Sequence, residues 1–188
     1  MKKILLFISI FFIDGLHLSS EEPNIQEVIV GLDNPWSLTF INKNLVLISE
    51  KSGNLALIDL TNKKIKKINH NLSILEDGQG GLLEVLYFKD KVFVSYSEDL
   101  KKGYSSTSVA SAKFDENFLN FKNIFRADPP INSGYHFGSR LVIKDNLLYV
   151  TVGERGKGMI AQDPTKHPGS IIRIHLNGKI PKDNPKFK

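Results

Sequence analysis

The chain has no cysteine, two methionines and one tryptophan in 188 residues. Without thiols it can build no disulfide framework, zinc ribbon, haem-attachment motif or cysteine nucleophile. The compartment stays open, because a domain of this size can fold in an oxidising space without disulfides. Charge of one sign is also scarce: 25 Lys and Arg stand against 20 Asp and Glu, a net +5 spread along the chain. That excess can attract a small acidic molecule. It falls short of the clustered basic face that nucleic-acid binding requires. No apolar run reaches the roughly 20 residues of a bilayer span, and beyond residue 25 no segment carries the period of an amphipathic helix. With 41% hydrophobic residues and twelve Phe, the chain is too rich in apolar and aromatic side chains for a disordered protein.

What is present begins with a leader pattern. Lys2 and Lys3 precede Ile4 to Ile13, in which only Ser9 is polar, and Asp14, Gly15 and Ser19-Ser20 follow. A basic start, a short apolar stretch and small residues predict a secretory signal peptide over residues 1–20. The expected product is periplasmic or secreted, with no membrane span after cleavage. A buried first strand or an uncleaved anchor is the competing reading, and Leu18 is a poor residue for the cleavage site.

Short β-rich runs punctuated by Gly, Asn, Asp and Lys make up the rest and predict an all-β fold. They span 27–30, 37–40, 45–49, 55–60, 82–88, 92–97, 108–114, 141–143, 147–152 and 171–176. Lys63 to Lys67 fits a charged edge strand that resists aggregation. The runs also recur as a unit. Phe40-Ile41, Tyr87-Phe88 and Val142-Ile143 each precede a three-residue polar turn, then a second strand opening at Leu45, Val92 or Leu147, 47 and 55 positions apart. A polar loop and a third apolar strand follow each time. Repeats of 40–50 residues with up to four strands describe β-propeller blades, four-stranded antiparallel sheets around a central channel. Residues 21–188 hold three to three and a half of them, whereas a propeller closes with four to eight. The expectation is the N-terminal part of a larger propeller, cut short.

In a propeller the loop entering each innermost strand lies at one mouth of the channel. Those loops hold Asp33-Asn34-Pro35-Trp36, Asp77-Gly78-Gln79-Gly80-Gly81 and Tyr135-His136-Phe137-Gly138. Gln79 lies thirteen residues before Val92 and His136 eleven before Leu147, near-equivalent offsets that bring both to one mouth. A neutral imidazole can take a proton near pH 7, and a carboxamide both donates and accepts hydrogen bonds. Read alone, each is as readily a structural loop residue. His167 is a further candidate loop ligand. Gly153-Glu154-Arg155-Gly156-Lys157-Gly158 is neither a Walker loop nor a dinucleotide fingerprint and is read as a β-loop with a Glu-Arg pair. The aspartates lack the spacing of a calcium loop.

Five segments together resemble the soluble PQQ-dependent aldose sugar dehydrogenases of the glucose/sorbosone dehydrogenase family. They are Gly31 to Leu38, Gly78 to Leu83, His136 to Leu141, Ala161 to Pro164 with His167-Pro168-Gly169, and Gly178 to Pro185. The resemblance implies a six-bladed propeller that oxidises aldose sugars at C1 to the lactone and passes the electrons to an external acceptor. It implies PQQ and calcium as cofactors, His136 as general base and Gln79 as a cofactor-binding residue. The family's arginine-asparagine pair, calcium ligands and further basic cofactor contacts would lie beyond Lys188, so this chain is expected to be an incomplete fragment and inactive alone. A non-catalytic exported propeller that binds a ligand is the alternative.

Overall fold

A computed structural model describes residues 23–186; the leader reading falls on residues outside it. The chain forms three sheets in sequence order. The first holds β1 (Pro35–Phe40), β2 (Leu45–Glu50), β3 (Leu55–Asp59) and β4 (Lys64–His70), each antiparallel to its neighbour. The second holds β5 (Leu82–Phe88), β6 (Lys91–Asp99), β7 (Ser105–Lys113) and, after the two-residue β8 (Phe118–Leu119), β9 (Lys122–Arg126). The third holds β10 (Gly138–Lys144), β11 (Leu147–Val152) and β12 (Ile171–His175). These are propeller blades in series: the first strands β1, β5 and β10 meet at the axis while later strands step outward.

The sequence reading places nine of the ten runs on strands. Residues 27–30 form none; instead Ile29 and Leu32 pack on Val46, Ile48, Ala56 and Ile58 of blade one. The expected four-stranded pattern holds for two blades, and the third has three strands among the described residues. The charged run at 63–67 opens β4, whose last two residues pair in parallel with β8. The expected three-residue turns also differ. Blades two and three close their first hairpins with two residues, Lys89-Asp90 at φ 49° and 61° and Asp145-Asn146 at φ 52° and 58°. Two positive-φ residues are what a type I′ turn needs to match strand twist. Blade one uses a longer loop, in which the Asn42 side-chain oxygen accepts from the amides of Asn44 and Leu45.

Each first strand carries the same irregularity. Register slips between Pro35 and Ser37, between Leu82 and Val85, and between Gly138 and Leu141. This is a one-residue bulge, a device common at barrel rims and beside active sites. In β5 and β10 it frees a carbonyl. Ser49 of blade one donates its hydroxyl to the Leu83 carbonyl of blade two. Ser95 of blade two donates to the Ser139 carbonyl of blade three at 2.6 Å and accepts from the Glu84 amide at 3.1 Å. Around these bonds the blades share apolar cores. Leu47, Leu55 and Ile68 meet Leu82, Val85 and Val92 at one interface, and Phe93 and Val109 meet Leu141, Leu148 and Val150 at the next. The outer faces of the arc leave Trp36, Leu38 and Phe40 exposed at one end and Val142 and Ile171 at the other. No described helix is long and apolar enough to cross a membrane.

Candidate functional site

Three loops converge where blades two and three meet. The first is Asp77 to Gly81, entering β5. Gly80 donates to the Asp77 carbonyl at 2.7 Å, and the Gln79 amide donates to the Gly134 carbonyl at 2.7 Å. A side chain at Gly78, φ 55°, would put a Cβ 2.5 Å from that same carbonyl oxygen. Glycine is what lets the two loops touch.

The second loop, Ser133 to Phe137, enters β10 and carries His136 in the left-handed region at φ 51°. The His136 amide donates to the Gln79 side-chain oxygen at 2.8 Å. The two candidate residues are therefore adjacent, as their offsets suggest, though the bond runs from one's backbone to the other's side chain. Among the described residues nothing takes the Gln79 side-chain N–H groups, which stay free to donate outward.

The third loop follows β11. The Gly153 amide donates to the Phe137 carbonyl at 3.0 Å, and the Arg155 amide to the His136 carbonyl at 3.3 Å. A Cβ on Gly153 would sit 1.9 Å from the His136 carbonyl oxygen. Glu154 places its carboxylate on His136 Nδ1 and accepts the Gly156 amide at 3.2 Å. The hydrogen bond from His136, with backbone amides adding to it, holds the Glu154 carboxyl below the ordinary carboxylate value. With Nδ1 engaged, Nε2 carries the free lone pair, and the His136 side chain is 54% exposed.

Arg155 turns the other way and is 2% exposed. Its guanidinium donates to the carbonyls of Tyr135 at 3.0 Å and Ser105 at 3.2 Å, to the Ser105 hydroxyl at 2.9 Å, and to the Ser133 carbonyl. It lies 3.6 Å over the Phe137 ring. Burial lowers its pKa to about 10, with the Asp77 charge partly opposing that shift.

The segment at 153–158 is thus a loop, but Glu154 and Arg155 do not pair with each other: Glu154 bonds His136, and Arg155 is buried on carbonyls of Ser105, Ser133 and Tyr135. A 3₁₀ turn, Gly158–Gln162, follows it. His167 is no ligand-ready side chain: Nδ1 accepts the Asp128 amide at 2.9 Å, and the ring stands edge-on to Phe125. His70 is likewise engaged through both nitrogens, with the Gly53 carbonyl and the Leu72 amide. His175 lies in β12. Among the described residues no group of three or more His, Asp or Glu could hold a metal ion.

A family model described as glucose / sorbosone dehydrogenase matches residues 32–188. The chain is 31% identical over 175 residues to the aldose sugar dehydrogenase YliI of Escherichia coli K12, an alignment covering 88% of this chain and 47% of that protein. A crystal structure of a glucose dehydrogenase superposes with a TM-score of 0.82 at 32% identity, covering 87% of this chain and 50% of the other. The PQQ-bound aldose sugar dehydrogenase of Streptomyces coelicolor shares the fold at a TM-score of 0.75 and 20% identity, over 86% and 50% of the two chains. The chain spans about half the length of the curated relatives it matches.

Proposed function

This chain belongs to the glucose/sorbosone dehydrogenase family, and on that premise we propose that it supplies half of the active site of an exported, PQQ-dependent aldose dehydrogenase. Its three blades are half of a six-bladed ring. The share of its relatives that it spans supports this, as do the apolar side chains left open at both ends of the arc. The leader pattern of residues 1–20 supports export.

One observation carries the chemical reading: His136 is exposed, its Nδ1 is held by Glu154, and its Nε2 is left as the basic nitrogen. His136 takes the proton of the sugar's anomeric hydroxyl at Nε2. The oxygen's electron pair forms the lactone carbonyl as the C1 hydrogen leaves with its bonding pair. A bound quinone supplies the acceptor for that hydride. Glu154, ionised at neutral pH, stabilises the imidazolium that proton uptake creates, as an acidic partner does in a catalytic triad. A positioned histidine of this kind contributes ~10²–10⁴-fold to rate. The free carboxamide N–H groups of Gln79 suit a quinone carbonyl or carboxylate, which accept hydrogen bonds and donate none. The described residues offer no matching set for calcium, and no step is derived through it.

The test compares sugar-dependent dye reduction, with PQQ and calcium added, by the 188-residue chain and by a six-bladed chain extending it. The extended chain should turn over and the three blades alone should not. In the extended chain His136→Gln should lower kcat by roughly 10²–10⁴-fold with quinone still bound. Gln79→Ala should weaken quinone binding by about 1–2 kcal/mol, the worth of one hydrogen bond to a charged or polar ligand group. Near-normal turnover by His136→Gln would leave His136 a structural loop residue. A folded, quinone-free ring without turnover would favour the ligand-binding propeller.

A further inference from the structure

Arg155 is a buried cation with no carboxylate in bonding contact among the described residues, an expensive thing to keep in a fold. Its bonds show what it does. Three of its four acceptors are backbone carbonyls, and two of those, Ser133 and Tyr135, belong to the loop that carries His136. The remaining contacts, with Ser105, tie that loop to the start of β7 in the neighbouring blade. The guanidinium also covers Phe137, the residue after His136. Its own amide meanwhile holds the His136 carbonyl.

We infer that Arg155 is a positioning residue for His136, acting through the backbone of residues 133–137, so that Glu154 and Arg155 grip the histidine from opposite sides. Glu154 fixes the ring; Arg155 fixes the strained peptide that aims it. A left-handed non-glycine residue persists only where its surroundings over-determine it, and a planar fork of donors meets several carbonyls at once as a lysine ammonium cannot. The inference deepens the reading of His136 as a base, but its test needs no turnover.

The test measures carbethoxylation of individual histidines by mass spectrometry, on the 188-residue chain at low concentration and neutral pH. The variants are Glu154→Gln, Arg155→Lys and Ser105→Ala. The Glu154 carboxylate covers Nδ1 and leaves only Nε2 to the reagent, so the loosened contact in Glu154→Gln should speed modification of His136 several-fold. Arg155→Lys should reproduce that rise, and Ser105→Ala part of it. His70 in blade one, with both nitrogens bonded to its own surroundings, should keep its rate in all three. An unchanged His136 rate in Arg155→Lys would overturn the inference. So would equal changes at His136 and His70, because Arg155 would then serve the fold at large. Should Arg155→Lys fail to fold, Ser105→Ala decides by the same two readings. Loss of turnover in a His136 variant bears only on the base, so the two readings fail separately.

Discussion

Ser95→Ala removes a single oxygen, and the blade repeat sets its cost. Ser95 is fully buried, and its hydroxyl works at both ends: it accepts the Glu84 amide at 3.1 Å and donates to the Ser139 carbonyl at 2.6 Å. Both partners are backbone groups freed by a bulge, so neither has a ladder neighbour to fall back on. A buried polar group left unpaired costs about 1–3 kcal/mol. Glu84 is only half-buried, so water recovers part of its share, and the expected loss is about 2–4 kcal/mol. Against the ~5–15 kcal/mol of a typical domain that is a large fraction. Urea unfolding followed by fluorescence should show a midpoint lowered by about 1 M or more at unchanged slope, given a slope of about 1–3 kcal/mol/M. Thr151 is the internal control. It accepts the Arg140 amide at 2.9 Å just as Ser95 accepts Glu84, but among the described residues no further blade stands beside it. Thr151→Val should cost less than about 1 kcal/mol, because water replaces the lost bond. If Ser95→Ala falls within 0.5 kcal/mol of the parent, or if the two substitutions cost the same, the hydroxyls do not couple the blades.

Two further outcomes follow from the geometry. Gly153→Ala forces a Cβ to within 1.9 Å of the His136 carbonyl oxygen; it should displace the His136 loop and speed carbethoxylation of His136 as Glu154→Gln does, with His70 unaffected. Burial alone would raise the Glu98 carboxyl, but bonds from Arg126 and Ser108 outweigh it and hold the group below 4.5. The stabilisation from that lowered value is therefore present above the ordinary carboxylate range and lost as pH falls through the depressed value. Acid titration of stability should be shallower below pH 4.5 in Glu98→Gln than in the parent, and identical curves would contradict the assignment.

The hairpins were legible because the middle strands are buried on both faces and read as continuous apolar runs between polar turns. Other features leave no such trace. β9, Lys122–Arg126, sits at an outer edge, where side chains half-exposed to water need not alternate. A bulge changes register by one residue and needs no particular residue type. The hydroxyl that answers it is a serine or threonine, common in any strand. Only alignment of Ser49, Ser95 and Thr151 across the three registers exposes the pattern.

Glu154 was open to discovery by the same route. Gly138 pairs with Val152, and extending that antiparallel register by two residues each way sets His136 opposite Glu154. The turn at Asp145-Asn146 alone, continued without the bulge, would set His136 opposite Arg155, so the partner of the proposed base was legible only with turn and bulge both known. Gln79 stands on different ground. It belongs to another blade, and its bond to His136 depends on how blade three seats on blade two, to which the Ser95–Ser139 bond contributes beside the Gln79–Gly134 and Arg155–Ser105 contacts. One half of the site is set within a hairpin and the other half across an interface. Substitutions at Ser95 should therefore reach the Gln79–His136 contact without touching either residue, while leaving the His136–Glu154 pair in place.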